Sequence, residues 1–212
     1  MANVKKLFGG VNMSWPVVIV FALVAGLYAG VVASIPALDG TSLRDIAITY
    51  EWWVIFAFVI ASNCTSGLES AVKTFVFFLI SQPLIYGVQV LAGTLDASMA
   101  WYYYSEIWGP ATLFTFPGGF IAQRITRQDW LGVFILGLGN TIQALMCVSH
   151  GAQMLANPPF HLLSTIICLV SIFVMAFQIQ HTDKRRAATL LVTLVAIAII
   201  LVLMVTTGRS LY

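Results

Sequence analysis

The chain has 212 residues, a net charge of +2, 60% hydrophobic positions and only 8% charged ones. So few polar groups cannot cover a soluble globule, which puts the sequence among polytopic α-helical membrane proteins. The small, scattered charge offers no basic patch for nucleic acid. Cys64, Cys147 and Cys168 lie in three different segments and build neither a disulfide framework nor a CxxC metal motif.

Apolar stretches of about 20 residues, the length that crosses a bilayer, predict an all-α transmembrane bundle forming one domain over residues 1–212. Seven spans are expected: Ser14 to Ser34, Ala47 to Ser62, Ala71 to Leu91, Trp101 to Gln123, Trp130 to His150, His161 to Gln180, and Leu190 to Thr207. The first exceeds a signal-peptide core and reads as a retained span. Basic residues stay in the cytoplasm. A cytoplasmic N-terminus places Lys5, Lys6, Lys73, Arg124, Arg127 and Lys184 to Arg186 inside, leaves Arg44 and Arg209 outside, and puts the C-terminus outside.

In the first span Ala25, Ala29 and Ala33 recur every four residues, with Gly26 and Gly30 beside them. That spacing stacks small side chains on one face, where another helix backbone approaches closely. The face suits packing within the protein or docking of a separate membrane subunit. An AxxxA first span, this chain length, this topology and a sizeable first outer loop resemble the substrate-binding S subunits of energy-coupling factor vitamin transporters. The resemblance implies that Ala25, Ala29 and Ala33 contact a coupling subunit and that a solute site opens outward. The family usually has six spans, which would make the seventh an addition.

The loop IPALDGTSLRDI, from Ile35 to Ile46, is polar and turn-rich and is long enough to cover an outer cavity. Glu51, Trp52 and Trp53 open the second span at the outer interface, where aromatic anchors belong. In the third span Gln82, Tyr86 and Gln89 fall on one helix face. The fourth span holds four consecutive aromatics from Trp101, then Glu106, Pro110, Pro117, Gly118 and Gly119. Its two prolines predict a helix kinked or opened in its inner half. A carboxylate at the depth of Glu106 is costly in hydrocarbon and points to a wet site, against the plainer reading of an interfacial aromatic belt with a snorkelling Glu. Tyr102, Glu106, Pro110 and Leu113 share an α-helical face.

The fifth span carries Asn140, Gln143, Cys147 and His150 at helical spacing, and the sixth carries His161, Ser164, Cys168, Ser171 and Gln178. Polar rows on four spans serve either as interhelical hydrogen bonds or as the lining of a shared chamber. His150 and His161 end neighbouring spans, and polar termini are the plainer reading than a pH switch or metal pair, because no third ligand is spaced with them. The seventh span is nearly pure aliphatic and should be peripheral.

No phosphate-binding loop, HExxH or GxSxG is present, so no enzymatic activity, metal or cofactor is expected. The expected function is the binding or transport of a small aromatic or cationic solute in an outward-facing pocket of a bacterial inner-membrane protein. Trp52, Trp53, Tyr102, Tyr103 and Trp108 would stack on the solute, Glu106 would supply counter-charge, and Gln89, Gln143 and His150 would complete the hydrogen bonds. The expected partners are the bilayer, the solute, and a membrane subunit or second copy. A non-transporting scaffold, assembly or immunity factor using the Ala/Gly face is the other reading. An intramembrane enzyme acting on lipid ranks last, because Glu106 has no partnered base.

Overall fold

The computed structural model describes residues 11–177 and 179–207, so the expectations for Lys5, Lys6, Gln178 and Arg209 fall outside it. Every regular element among the described residues is helical. The residues cluster into two compact units, one ending at Gln123 and one beginning at Arg124.

The first unit comprises α1 (Trp15–Ala33), two 3-10 turns (Pro36–Leu38 and Ser42–Arg44), α2 (Asp45–Ile48), α3 (Glu51–Ser62) and α4 (Gly67–Leu91). It ends with α5 (Ala97–Tyr102), a π-helical stretch (Tyr103–Trp108) and α6 (Gly109–Ala122). Helices α1 and α4 run parallel: the Lys73 ammonium donates to the Met13 carbonyl, Gly26 abuts Ser81, and Gly30 abuts Ile85 and Val88. A Cβ at Gly26 would lie 2.7 Å from the Ser81 carbonyl oxygen, so only glycine lets the backbones approach this closely. Ala25, Ala29 and Ala33 are buried on this side of α1. The face that sequence offers for docking a coupling subunit is therefore spent on packing inside the chain.

Between these helices α3 returns with an aromatic core in which Trp53, Phe56, Phe77 and Phe78 meet edge-on or tilted. Helix α6 is antiparallel to α4, and the Ser70 hydroxyl donates to the Gly119 carbonyl at 2.7 Å. Ser66 starts α4 by accepting the Glu69 N–H at 3.2 Å, while the Glu69 carboxylate takes the Thr65 N–H at 2.7 Å. Two N–H groups that the helix cannot satisfy are thereby satisfied by side chains. Replacing Ser66 with alanine should cost about 1 kcal/mol and lower the thermal midpoint in detergent.

Four helices are long and apolar enough to cross a membrane: Trp15–Ala33, Gly67–Leu91, Trp130–Ala156 and Asp183–Leu203. A fifth crossing exists if the bent pair Ser42–Ile48 and Glu51–Ser62, which turns by 67°, is one span. The expected second span is thus broken. The Thr49 hydroxyl lies 2.6 Å from the Asp45 carbonyl and 2.5 Å from a Glu51 carboxylate oxygen, closing one helix where the next begins. Leu162–Phe177 is apolar but has 16 residues, about 24 Å at 1.5 Å each, less than a bilayer core. The expected fourth span is helical but composite, and its irregularity lies in the outer half. Pro117 sits within a continuous α6, whereas the π-helical turn precedes Pro110.

The second unit comprises α7 (Trp130–Ala156), α8 (Leu162–Phe177) and α9 (Asp183–Thr207). Asp129 caps α7 by accepting the Gly132 N–H at 2.9 Å. Hydrogen bonding from Arg127, with that cap, holds the Asp129 carboxyl below the usual carboxylate range. Helices α7 and α8 are antiparallel, with the His150 and His161 rings 4.7 Å apart and Cys147 Sγ 4.0 Å from the Thr165 carbonyl. Gly137 lies against Val192 and Thr189 of α9, and the Thr193 hydroxyl is 3.2 Å from the Gly137 carbonyl. Helix α9 is the least buried of the four long apolar helices, as its aliphatic sequence requires.

Candidate functional site

A cavity of about 160 Å³ opens in the first unit, at the end opposite Lys73 and Met13, where the Thr94 and Ser34 hydroxyls lie 3.4 Å apart. Its walls come from α1, the Ser42–Ile48 segment, α3, α4 and the π-helical stretch. Three larger hollows in the same unit, of about 550, 470 and 270 Å³, are lined almost wholly by apolar side chains and resemble grooves that acyl chains fill. The small cavity is chemically different: Arg44, Gln82 and Gln89 share its wall with Trp53, Tyr86, Tyr103 and Trp108.

Each lining group has a local cause. Gln82, Tyr86 and Gln89 follow one another at helical spacing on α4, so one face of that helix supplies three polar groups. The Gln89 amide nitrogen donates to the Ile85 carbonyl at 3.3 Å, leaving its oxygen as an acceptor. Gln82 is 1% exposed, and its Nε2 has no hydrogen-bond partner. Trp53 is buried and donates from its indole to the Ile46 carbonyl at 3.0 Å, which fixes the covering segment over the cavity. That segment carries Arg44, which pairs with Asp39 through one terminal nitrogen while its buried Nε lacks a partner.

The π-helical stretch decides which fourth-span residues face inward. Residues five apart in an α-helix, at about 100° each, point about 140° from one another. The wider π turn brings residues five apart into register, and Gly109 N–H donates to the Tyr104 carbonyl in that pattern. Tyr103 and Trp108, five apart, thus both line the cavity. The Trp108 indole bonds the Tyr86 hydroxyl. The Tyr103 ring stacks on Tyr86 with centroids 6.2 Å apart, and Tyr50 packs on Trp108 at 5.5 Å.

Of the residues that sequence singled out, Trp53, Gln89, Tyr103 and Trp108 meet at this cavity. Tyr102, Glu106, Pro110 and Leu113 are instead exposed, because the π turn rotates that row to the outside. Glu106 is not among the groups that line the cavity, and the cation beside the aromatics is Arg44. Trp52 packs against Phe56 and does not reach the cavity wall. Gln143 and His150 belong to the second unit. There Asn140 and Gln143 are fully buried with no partner for either amide, and His150 lies beside His161.

Sequence reasoning passed over Arg44, Gln82 and Tyr86 as site residues. The last two stood on the same face as Gln89, and that shared face was the available signal. Among the described residues no group of three His, Cys, Asp or Glu side chains comes together to hold a metal ion. Compared with protein-family models, curated proteins and solved structures, the chain matches none.

Proposed function

We propose that this is a membrane protein that binds a small aromatic solute in an outward-opening cavity, as the recognition element of a transport system. The observation that carries this is the meeting of Trp53, Tyr103, Trp108 and Gln89 around one cavity with Gln82, whose buried amide nitrogen is unsatisfied. Buried polar groups without partners are rare and costly, and a bound solute or water satisfies them. With a cytoplasmic N-terminus and seven crossings, the parallel α1 and α4 both run outward, so the cavity lies at the outer end. A partner or an ion gradient supplies the energy, because the sequence has no nucleotide-binding loop. A scaffold role through the Ala/Gly face has less support, since Ala25, Ala29 and Ala33 are covered within the chain.

The test is a thermal-shift screen of purified protein against small aromatic solutes. A solute present at 100 times its Kd stabilises the folded state by about 2.7 kcal/mol, which a melting curve resolves. Glu106→Gln should keep the full shift, because that carboxylate is exposed and away from the cavity. A screen in which no solute stabilises the protein, or a shift abolished by Glu106→Gln, overturns the proposal.

A further inference from the structure

We infer that the cavity selects a compact planar carboxylate, one six-membered ring bearing a single carboxylate group, and rejects cations of the same shape. This rests on the solute-binding role proposed above and adds the charge and size of the solute.

Size comes from volume. An apolar cavity of about 150 Å³ takes up one benzene molecule, and the cavity here is about 160 Å³. One ring with a short substituent fits, and a fused or extended solute does not. Shape follows from the lining, where Trp53, Tyr86, Tyr103 and Trp108 offer flat faces and edges suited to a ring.

Charge follows from the polar groups. Arg44 is the only charged side chain on the wall, and no carboxylate lines it. Two donors there lack partners: Gln82 Nε2, on a side chain 1% exposed, and Arg44 Nε. A carboxylate offers two oxygens with several acceptor positions, whereas an ammonium brings only further donors to a wall that already has donors in excess. Arg44 is not neutralised at the cavity itself, since Asp39 pairs with its outer nitrogen and is 59% exposed. Water and salt screen that exposed carboxylate more than they screen the Nε facing inward. A cationic solute, the other half of the sequence expectation, would meet Arg44 with no counter-charge.

The experiment measures binding of benzoate, benzamide and benzylammonium, three probes of one shape and different charge, by titration calorimetry in a non-ionic detergent. We expect saturable binding of benzoate, with benzylammonium at least about tenfold weaker because it loses charge-assisted hydrogen bonds, and benzamide in between. Gln82→Leu, close in volume, should weaken benzoate about fivefold, the worth of one buried hydrogen bond. Arg44→Met should weaken it by about tenfold or more. Benzylammonium or benzamide binding as tightly as benzoate overturns the charge assignment while leaving a solute site in place. No saturable binding of any of the three, with larger aromatic solutes binding instead, overturns the size assignment. If the thermal-shift screen also finds no solute, the binding role itself fails. The comparison of probes on the unaltered protein stands even if a variant fails to fold.

Discussion

Gly26→Ala should destabilise the protein by about 1–3 kcal/mol, the cost of forcing extra atoms into a filled interface. The added Cβ would sit 2.7 Å from the Ser81 carbonyl oxygen and 3.0 Å from the Ser81 Cα, both backbone atoms of a packed helix that no side-chain rotation can move aside. Gly26→Leu should be worse, separating α1 from α4 along the interface that also contains Gly30 and Ala29. Gly87→Ala is the matched control. A Cβ there meets nothing within 4 Å, and alanine is favoured over glycine in a helix by about 0.5–1 kcal/mol. Unfolding in mixed micelles should therefore move in opposite directions for the two alanine substitutions. Equal stability of Gly26→Ala and the unaltered protein would show that α1 and α4 do not pack as described.

That contact shows what a hydrophobic sequence reveals and what it hides. The small-residue spacing from Ala25 to Ala33 marks a close helix contact, and the length rule places α1 and α4 to within a few residues. It cannot say whether the contact is internal or with a partner, because composition is the same in both cases. The row Gln82, Tyr86 and Gln89 was legible because α4 is a regular α-helix through that stretch, so spacing translates directly into direction. The row Tyr102, Glu106, Pro110 was misleading for the converse reason. It assumed an α-helical turn where the backbone takes a π-helical one, and a single change of period reassigns inside and outside. The break in the second span depends on the Trp53 indole reaching the Ile46 carbonyl and on Thr49 between Asp45 and Glu51, contacts with no periodic signature. Arg44 looked like an ordinary outer-loop charge, and its buried Nε becomes visible only once the loop folds over the cavity.

Trp108→Ala should reduce solute binding by about 30-fold or more, the scale of loss when a central tryptophan is truncated in a binding site. Three contacts make it the most connected ring at the cavity. It lines the wall, it bonds the Tyr86 hydroxyl, and it packs on Tyr50 from the other side. Trp108→Phe separates these parts: the ring remains but the N–H is lost, and binding should fall only about fivefold. Removing one residue from the π-helical stretch, such as Ser105, attacks the same contacts through the backbone. A wide turn corresponds to one extra residue in an α-helix, and its deletion would return the segment to α-helical spacing. Tyr103 and Trp108 would then be four apart, so they would keep a common face, but everything C-terminal to the deletion would rotate by about 100° relative to α5. Gly119 would leave its position against Ser70 and Thr74, where a Cβ would already lie 2.9 Å from the Thr74 hydroxyl. The segment therefore cannot satisfy the cavity and the α4–α6 contact at once without the wide turn. The deletion should cost both binding and thermal stability, whereas Trp108→Phe should cost binding with little change in stability. A deletion variant that melts like the unaltered protein and binds solute normally would remove the π-helical turn from the explanation.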